Sequence, residues 1–109
     1  MTEKSVQKRA NMSQSIKVES SGAGGDPLVF TVQVEDAGGR SRHRVTLSDG
    51  TYKKLTGGRY TQEQCIEAAF RFLLERESRN EILPSFDLNV IHLYFPDFEE
   101  ALPRYLVQG

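Results

Sequence analysis

The sequence predicts an α+β domain: a small three-stranded antiparallel sheet from the N-terminal half, packed against one long helix and two or three short C-terminal helices. Three observations carry this reading. Polar and apolar residues alternate in three runs before residue 48. Apolar residues recur every three or four positions between 62 and 77. Prolines at 84, 96 and 103 cut the remainder into short pieces.

The opening stretch, residues 1–14, carries Lys4, Lys8 and Arg9 among small polar residues with no apolar period, and reads as a disordered tail ahead of a domain over 15–109. Met12, a second methionine, marks an alternative start. From Ser15, Ile16 and Val18 alternate with Lys17 and Glu19 as a first strand. Residues 20–27 are a Ser- and Gly-rich loop. The run 28–35 sets Leu28, Phe30, Val32 and Val34 against Val29, Thr31, Gln33 and Glu35, and 40–47 alternates again after Asp36-Ala37-Gly38-Gly39. These runs predict a hairpin, with Glu35 opposite Arg40, Gln33 opposite Arg42 and Thr31 opposite Arg44. Its other face then pairs Val34, Val32 and Phe30 with Ser41, His43 and Val45. A slip of one residue would mix the polar and apolar faces, so the pattern specifies its own register.

A single helical turn is expected over 51–55, with Tyr52 and Leu55 inward, ended by Gly57-Gly58. Thr61 and Gln64 form a capping-box pair at the start of a helix over 62–77. Ile66, Ala69, Phe70, Leu73 and Leu74 are its apolar stripe, flanked by Cys65, Ala68 and Phe72; Glu67, Arg71 and Glu75 lie outside as ion-pair neighbours. Asp87 is placed to cap a short helix that buries Leu88, Ile91, Leu93 and Phe95. Pro96 ends that helix or starts the next turn, and Pro103 limits the segment 97–102 in the same way.

The chain has 109 residues, 38% hydrophobic and 27% charged, which suits one small globular domain. No run approaches the roughly 18 apolar residues of a spanning helix, and the first 20 residues lack a secretory apolar block, so no membrane association and a cytoplasmic location are expected. One cysteine excludes a disulfide framework or a cysteine-built metal site. The two histidines, His43 and His92, form no ligand pair by spacing, and the glycine clusters lack a phosphate-loop context. No catalytic set, cofactor or metal is expected. The net charge of −1 is a cancellation: residues 1–60 hold ten Lys and Arg against six Asp and Glu, and 61–109 hold four against nine. The split reads either as internal complementarity or as two surfaces of opposite sign.

Three candidate surfaces emerge. Phe86, Tyr94, Phe95, Phe98 and Tyr105 crowd the C-terminal stretch, and Tyr94, Phe95, Phe98, Glu99 and Glu100 mix rings with acids as a protein-docking segment does. That makes a non-enzymatic protein-interaction or regulatory module, with an unidentified protein partner, the first expectation. The second is a nucleic-acid or polyanion surface. Arg40, Arg42 and Arg44 stand about 6 to 7 Å apart on one strand face, with Lys53, Lys54 and Arg59 next along the chain. The third is thiol chemistry at Cys65, near a helix N-terminus where a thiol pKa can fall; the alternative is a small buried apolar residue.

From Arg40 onward, two further signatures stand out: Tyr52 with Leu55-Thr56-Gly57-Gly58 leading into the Cys65 helix, and Ile82-Leu83-Pro84-Ser85-Phe86-Asp87-Leu88-Asn89-Val90-Ile91 followed by Tyr94-Phe95-Pro96. On these the chain, over residues 28–100, resembles a family of small bacterial proteins of unknown function. The resemblance implies a bacterial, cytoplasmic, single-domain protein and carries over no functional residue.

Overall fold

Alternation in the N-terminal half produces the strands it predicts. A computed structural model describes residues 14–22 and 24–106, in which β1 (Ser15–Ser20), β2 (Leu28–Asp36) and β3 (Gly39–Leu47) are antiparallel neighbours. The hairpin has the predicted register, Glu35 opposite Arg40 through Phe30 opposite Val45. Phe30, Val32, Val34, Val45 and Leu47 are thereby buried on one face. The expected tail and the second methionine lie outside the described residues, apart from Gln14.

The three-stranded antiparallel sheet is corrected by a fourth strand, β4 (Ser85–Asp87), which pairs parallel to β3 and makes the sheet mixed, in the order β1-β2-β3-β4. A three-residue segment behind Pro84 is too short to show alternation. Its partner defines it instead. The Arg44 N–H donates to the Pro84 carbonyl at 2.8 Å, and the Thr46 hydroxyl donates to Asp87 Oδ1 at 2.6 Å. Phe86 packs its ring against Phe70, centroids 6.0 Å apart. The parallel pairing is possible because the chain crosses between the two strands through helices.

Helix α1 (Asp49–Thr56) is longer than the expected turn. It begins earlier because the Ser48 hydroxyl accepts from the Thr51 N–H at 3.1 Å, and it ends at Gly57, whose φ of 67° suits glycine. Helix α2 (Gln62–Leu74) starts with the predicted capping box: Thr61 N–H donates to Gln64 Oε1 at 2.8 Å and Gln64 N–H to Thr61 Oγ1 at 3.0 Å. It stops three residues before the expected end. Glu75 and Arg76 are held by Tyr105 and Asp97 instead: the Tyr105 hydroxyl donates to Glu75 at 2.7 Å, and Arg76 donates to Asp97 at 3.1 Å.

Residues beyond α2 wind through short turns: a 3-10 turn at Arg79–Glu81, another at Leu88–Val90 capped by Asp87 as predicted, then α3 (Ile91–Tyr94), α4 (Phe98–Ala101) and a final 3-10 turn at Leu102–Arg104. Leu88 and Ile91 are buried, but Leu93 is 69% exposed, because so short a helix turns only one side to the core. The core is the inner sheet face, the α2 stripe and these C-terminal turns together. Among the described residues no helix is long and apolar enough to cross a membrane.

Candidate functional site

Where α2 ends and the C-terminal turns fold back over it, they leave a groove of about 360 Å³. Leu73 and Ile91 belong to the core beneath it, and Phe86 packs against that core. Ile82, Leu83, Val90, Tyr94 and Phe95 complete its apolar lining, and Glu77 and Glu81 supply its acids. Local rules place the key side chains. His43 Nδ1 donates to the Leu83 carbonyl at 2.8 Å, which fixes the segment just before Pro84, with Ile82 buried and Leu83 45% exposed. Asp87, accepting from the Asn89 N–H at 3.0 Å, starts the turn that sends Ile91 inward and leaves Tyr94 65% exposed.

The two glutamates differ. Glu81 Oε1 accepts from the Ser78 N–H at 2.8 Å and from its hydroxyl at 3.3 Å, closing the turn at Arg79–Glu81. Glu77 is half-buried and has no cation or side-chain hydrogen-bond donor as partner among the described residues. Burial, and then the nearby charge of Glu81, push its carboxyl above the ordinary value.

The five residues expected to dock a partner are divided by the structure. Tyr94 and Phe95 line the groove. Phe98 is buried against Phe72, centroids 5.0 Å apart, and Glu99 is paired with Lys54 at 2.9 Å. Glu100 is exposed on α4 outside the groove lining. The acids that do line the groove, Glu77 and Glu81, read in the sequence only as a helix end and a turn. Their signal is weak: charge beside an apolar Ile82-Leu83 step that a proline forbids from continuing as helix.

The arginine stripe lies on the outer sheet face, partly neutralised. Arg40 pairs with Glu35 at 3.3 Å, Arg42 donates to Gln33 at 3.4 Å, and Lys53 pairs with Asp49 at 3.1 Å. Arg44 and Arg59 have no acidic partner among the described residues. Arg42 and Arg44 share a shallow concavity with Ser21, Val29 and Thr31.

Cys65 is fully buried, and burial pushes its thiol up to about 12, the opposite of what a nucleophile at neutral pH requires. His43 has a partner on both ring nitrogens, Ser41 Oγ lying 2.9 Å from Nε2, and packs on Phe70 at 5.4 Å. It holds strand to loop. His92 is half-buried on α3, and no group of three metal-ligating side chains exists among the described residues.

Comparison with protein families, curated proteins and solved structures finds no match to the chain. The groove's chemistry therefore rests on its own side chains.

Proposed function

We propose that the protein is a non-enzymatic interaction module that docks an apolar part of a protein partner in the groove between α2 and the C-terminal turns. One observation carries the reading. The large hydrophobic side chains exposed among the described residues are Leu83, Leu93 and Tyr94; two of them line this groove and the third precedes Tyr94 on α3. Scattered exposed apolar residues need no explanation, but two of three lining one concavity mark an interaction surface. The groove's chemistry is that of a receptor for side chains, with apolar walls and a few polar groups at one side.

A photo-crosslinking residue at Tyr94 tests this in the living host. It is expected to trap a discrete polypeptide adduct that survives nuclease treatment and is lost with Leu83→Asp. The same residue at Glu63, on the first turn of α2 and outside the groove lining, should trap none. No Leu83-dependent adduct at Tyr94 overturns the reading. A nuclease-sensitive adduct favours the second reading, a polyanion surface, which rests on Arg44 beside Arg42 without an acidic partner among the described residues. Paired Arg40, Lys53 and Lys54 leave that surface little uncompensated charge.

A further inference from the structure

Several acidic side chains elsewhere in the fold are ion-paired. Asp36 meets Arg79 at 3.0 Å, Glu67 meets Arg71 at 2.6 Å, Asp97 meets Arg76 at 3.1 Å and Glu99 meets Lys54 at 2.9 Å. Glu63 and Glu100 have no partner among the described residues but are exposed, whereas Glu77, equally without one, is half-buried and lines the groove. Its carboxylate meets no donor among the described residues, and the charge that acts on it is that of another acid, Glu81. Both bonds that Glu81 accepts from Ser78 go to Oε1, so Oε2 remains available. Two like charges beside an apolar wall cost stability when the groove is empty, and a cation relieves them both.

From this complementarity we infer that the occupant of the groove is a basic amphipathic segment of another polypeptide, seating an apolar side chain between Leu83, Phe86 and Tyr94 and a Lys or Arg on Glu77 and Glu81. The inference rests on the interaction reading and names its partner's chemistry. Tyr94 adds to it, since an exposed ring in the same groove lining gives an incoming guanidinium or ammonium a face to stack on. A metal ion fits less well: among the described residues no third ligating side chain joins the two glutamates. A second copy of the chain fits poorly too. Its exposed large hydrophobic side chains, Leu83, Leu93 and Tyr94, lie in or next to the groove itself, and none neighbours along the chain Arg44 or Arg59, which have no acidic partner among the described residues.

Selection of random dodecapeptides displayed on phage, against the full chain with counter-selection on Tyr94→Asp, tests the inference. The expected winners place Lys or Arg beside a large apolar residue, and as synthetic peptides they bind in a salt-sensitive way. Glu77→Gln should weaken them by about tenfold or more, the scale of one charge-assisted hydrogen bond. Protonating Glu77 should do likewise, so affinity falls as pH falls through the acid range. The glutamine variant must remain folded, and removing a disfavoured charge should raise its Tm at neutral pH.

Winners that need Tyr94 but carry no basic residue, or are indifferent to Glu77→Gln, overturn the inference and leave the docking groove standing. An absence of Tyr94-dependent winners overturns both. Sedimentation is the third arm: a concentration-dependent dimer abolished by Tyr94→Asp assigns the groove to a second copy and overturns the basic partner.

Discussion

Arg79 sits in Ser78-Arg79-Asn80, a stretch whose composition signals only an interruption of helix, yet its side chain is nearly buried. Its Nε donates to Asp36 Oδ1 at 3.0 Å, the same oxygen that accepts the Gly38 N–H at 2.8 Å. The guanidinium thus clamps the β2–β3 turn to the turn following α2. Gly39 is required twice over: its φ is 139°, and a Cβ there would lie 2.9 Å from Arg79 Nη2. The hydrogen bond from Arg79 holds the Asp36 carboxyl below its ordinary value of 3.8. A depressed carboxylate contributes stability in full above that value and loses it as pH falls through the lowered one. Asp36→Asn is therefore expected to be less stable than the parent at pH 7, with the difference shrinking below pH 3.8. Urea midpoints of both proteins across the acid range check this; a difference constant with pH would show that the clamp does not depend on the carboxylate's charge.

At the scale of elements, legibility followed the length of the pattern. Nine residues in each hairpin strand fixed identity, register and burial together, because a slip would expose Val32 and Val34. Thr61 and Gln64 announced the start of α2 through reciprocal side-chain chemistry, and that local chemistry forms as expected. Thr61→Ala should cost about 1 kcal/mol, the usual worth of an N-cap. Chemical denaturation measures it, and restoration by Thr61→Ser would tie the loss to the hydroxyl. Pieces of three or four residues were legible only where a cap marked them, as Asp87 does, and β4 and the buried side of α3 were not, for the converse reason. β4 is a strand because Arg44 and Thr46 bond to it, and α3 leaves Leu93 in solvent because tertiary contacts, not a period, choose its buried side. The groove was equally hidden, since it lies where α2, the Arg79–Glu81 turn and α3 meet, and no spacing along the chain records that meeting. What composition did expose was Tyr94 and Phe95 as candidates.

Across the whole molecule, the two halves of opposite charge meet rather than merely coexist. Lys54 on α1 pairs with Glu99 on α4, so a residue read as polyanion-binding and one read as partner-binding neutralise each other. Such exposed pairs contribute at most about 1 kcal/mol each, so the join between the halves rests on apolar packing instead. His43 on β3 packs on Phe70 of α2 across that join, and within the second half Phe72 is the centre of packing. Its ring meets Phe95, Phe98 and Tyr105 edge-on, and the Arg76 guanidinium lies 3.7 Å from its centroid. The aromatic C-terminal stretch, alike along its length in composition, is thus two populations. One closes the core and the other faces solvent beside the groove. Phe98→Ala and Tyr94→Ala separate them. Phe98→Ala should cost about 3 to 5 kcal/mol, a large part of the roughly 5 to 15 kcal/mol available to a small domain. Tyr94→Ala should change stability by no more than about 0.5 kcal/mol while abolishing binding of the selected peptides, because its ring stands outside the buried core. Denaturant titration of the two variants beside the binding assay gives both readings at once. Equal destabilisation would mean that Tyr94 supports the fold, and its exposed ring would no longer argue for a partner.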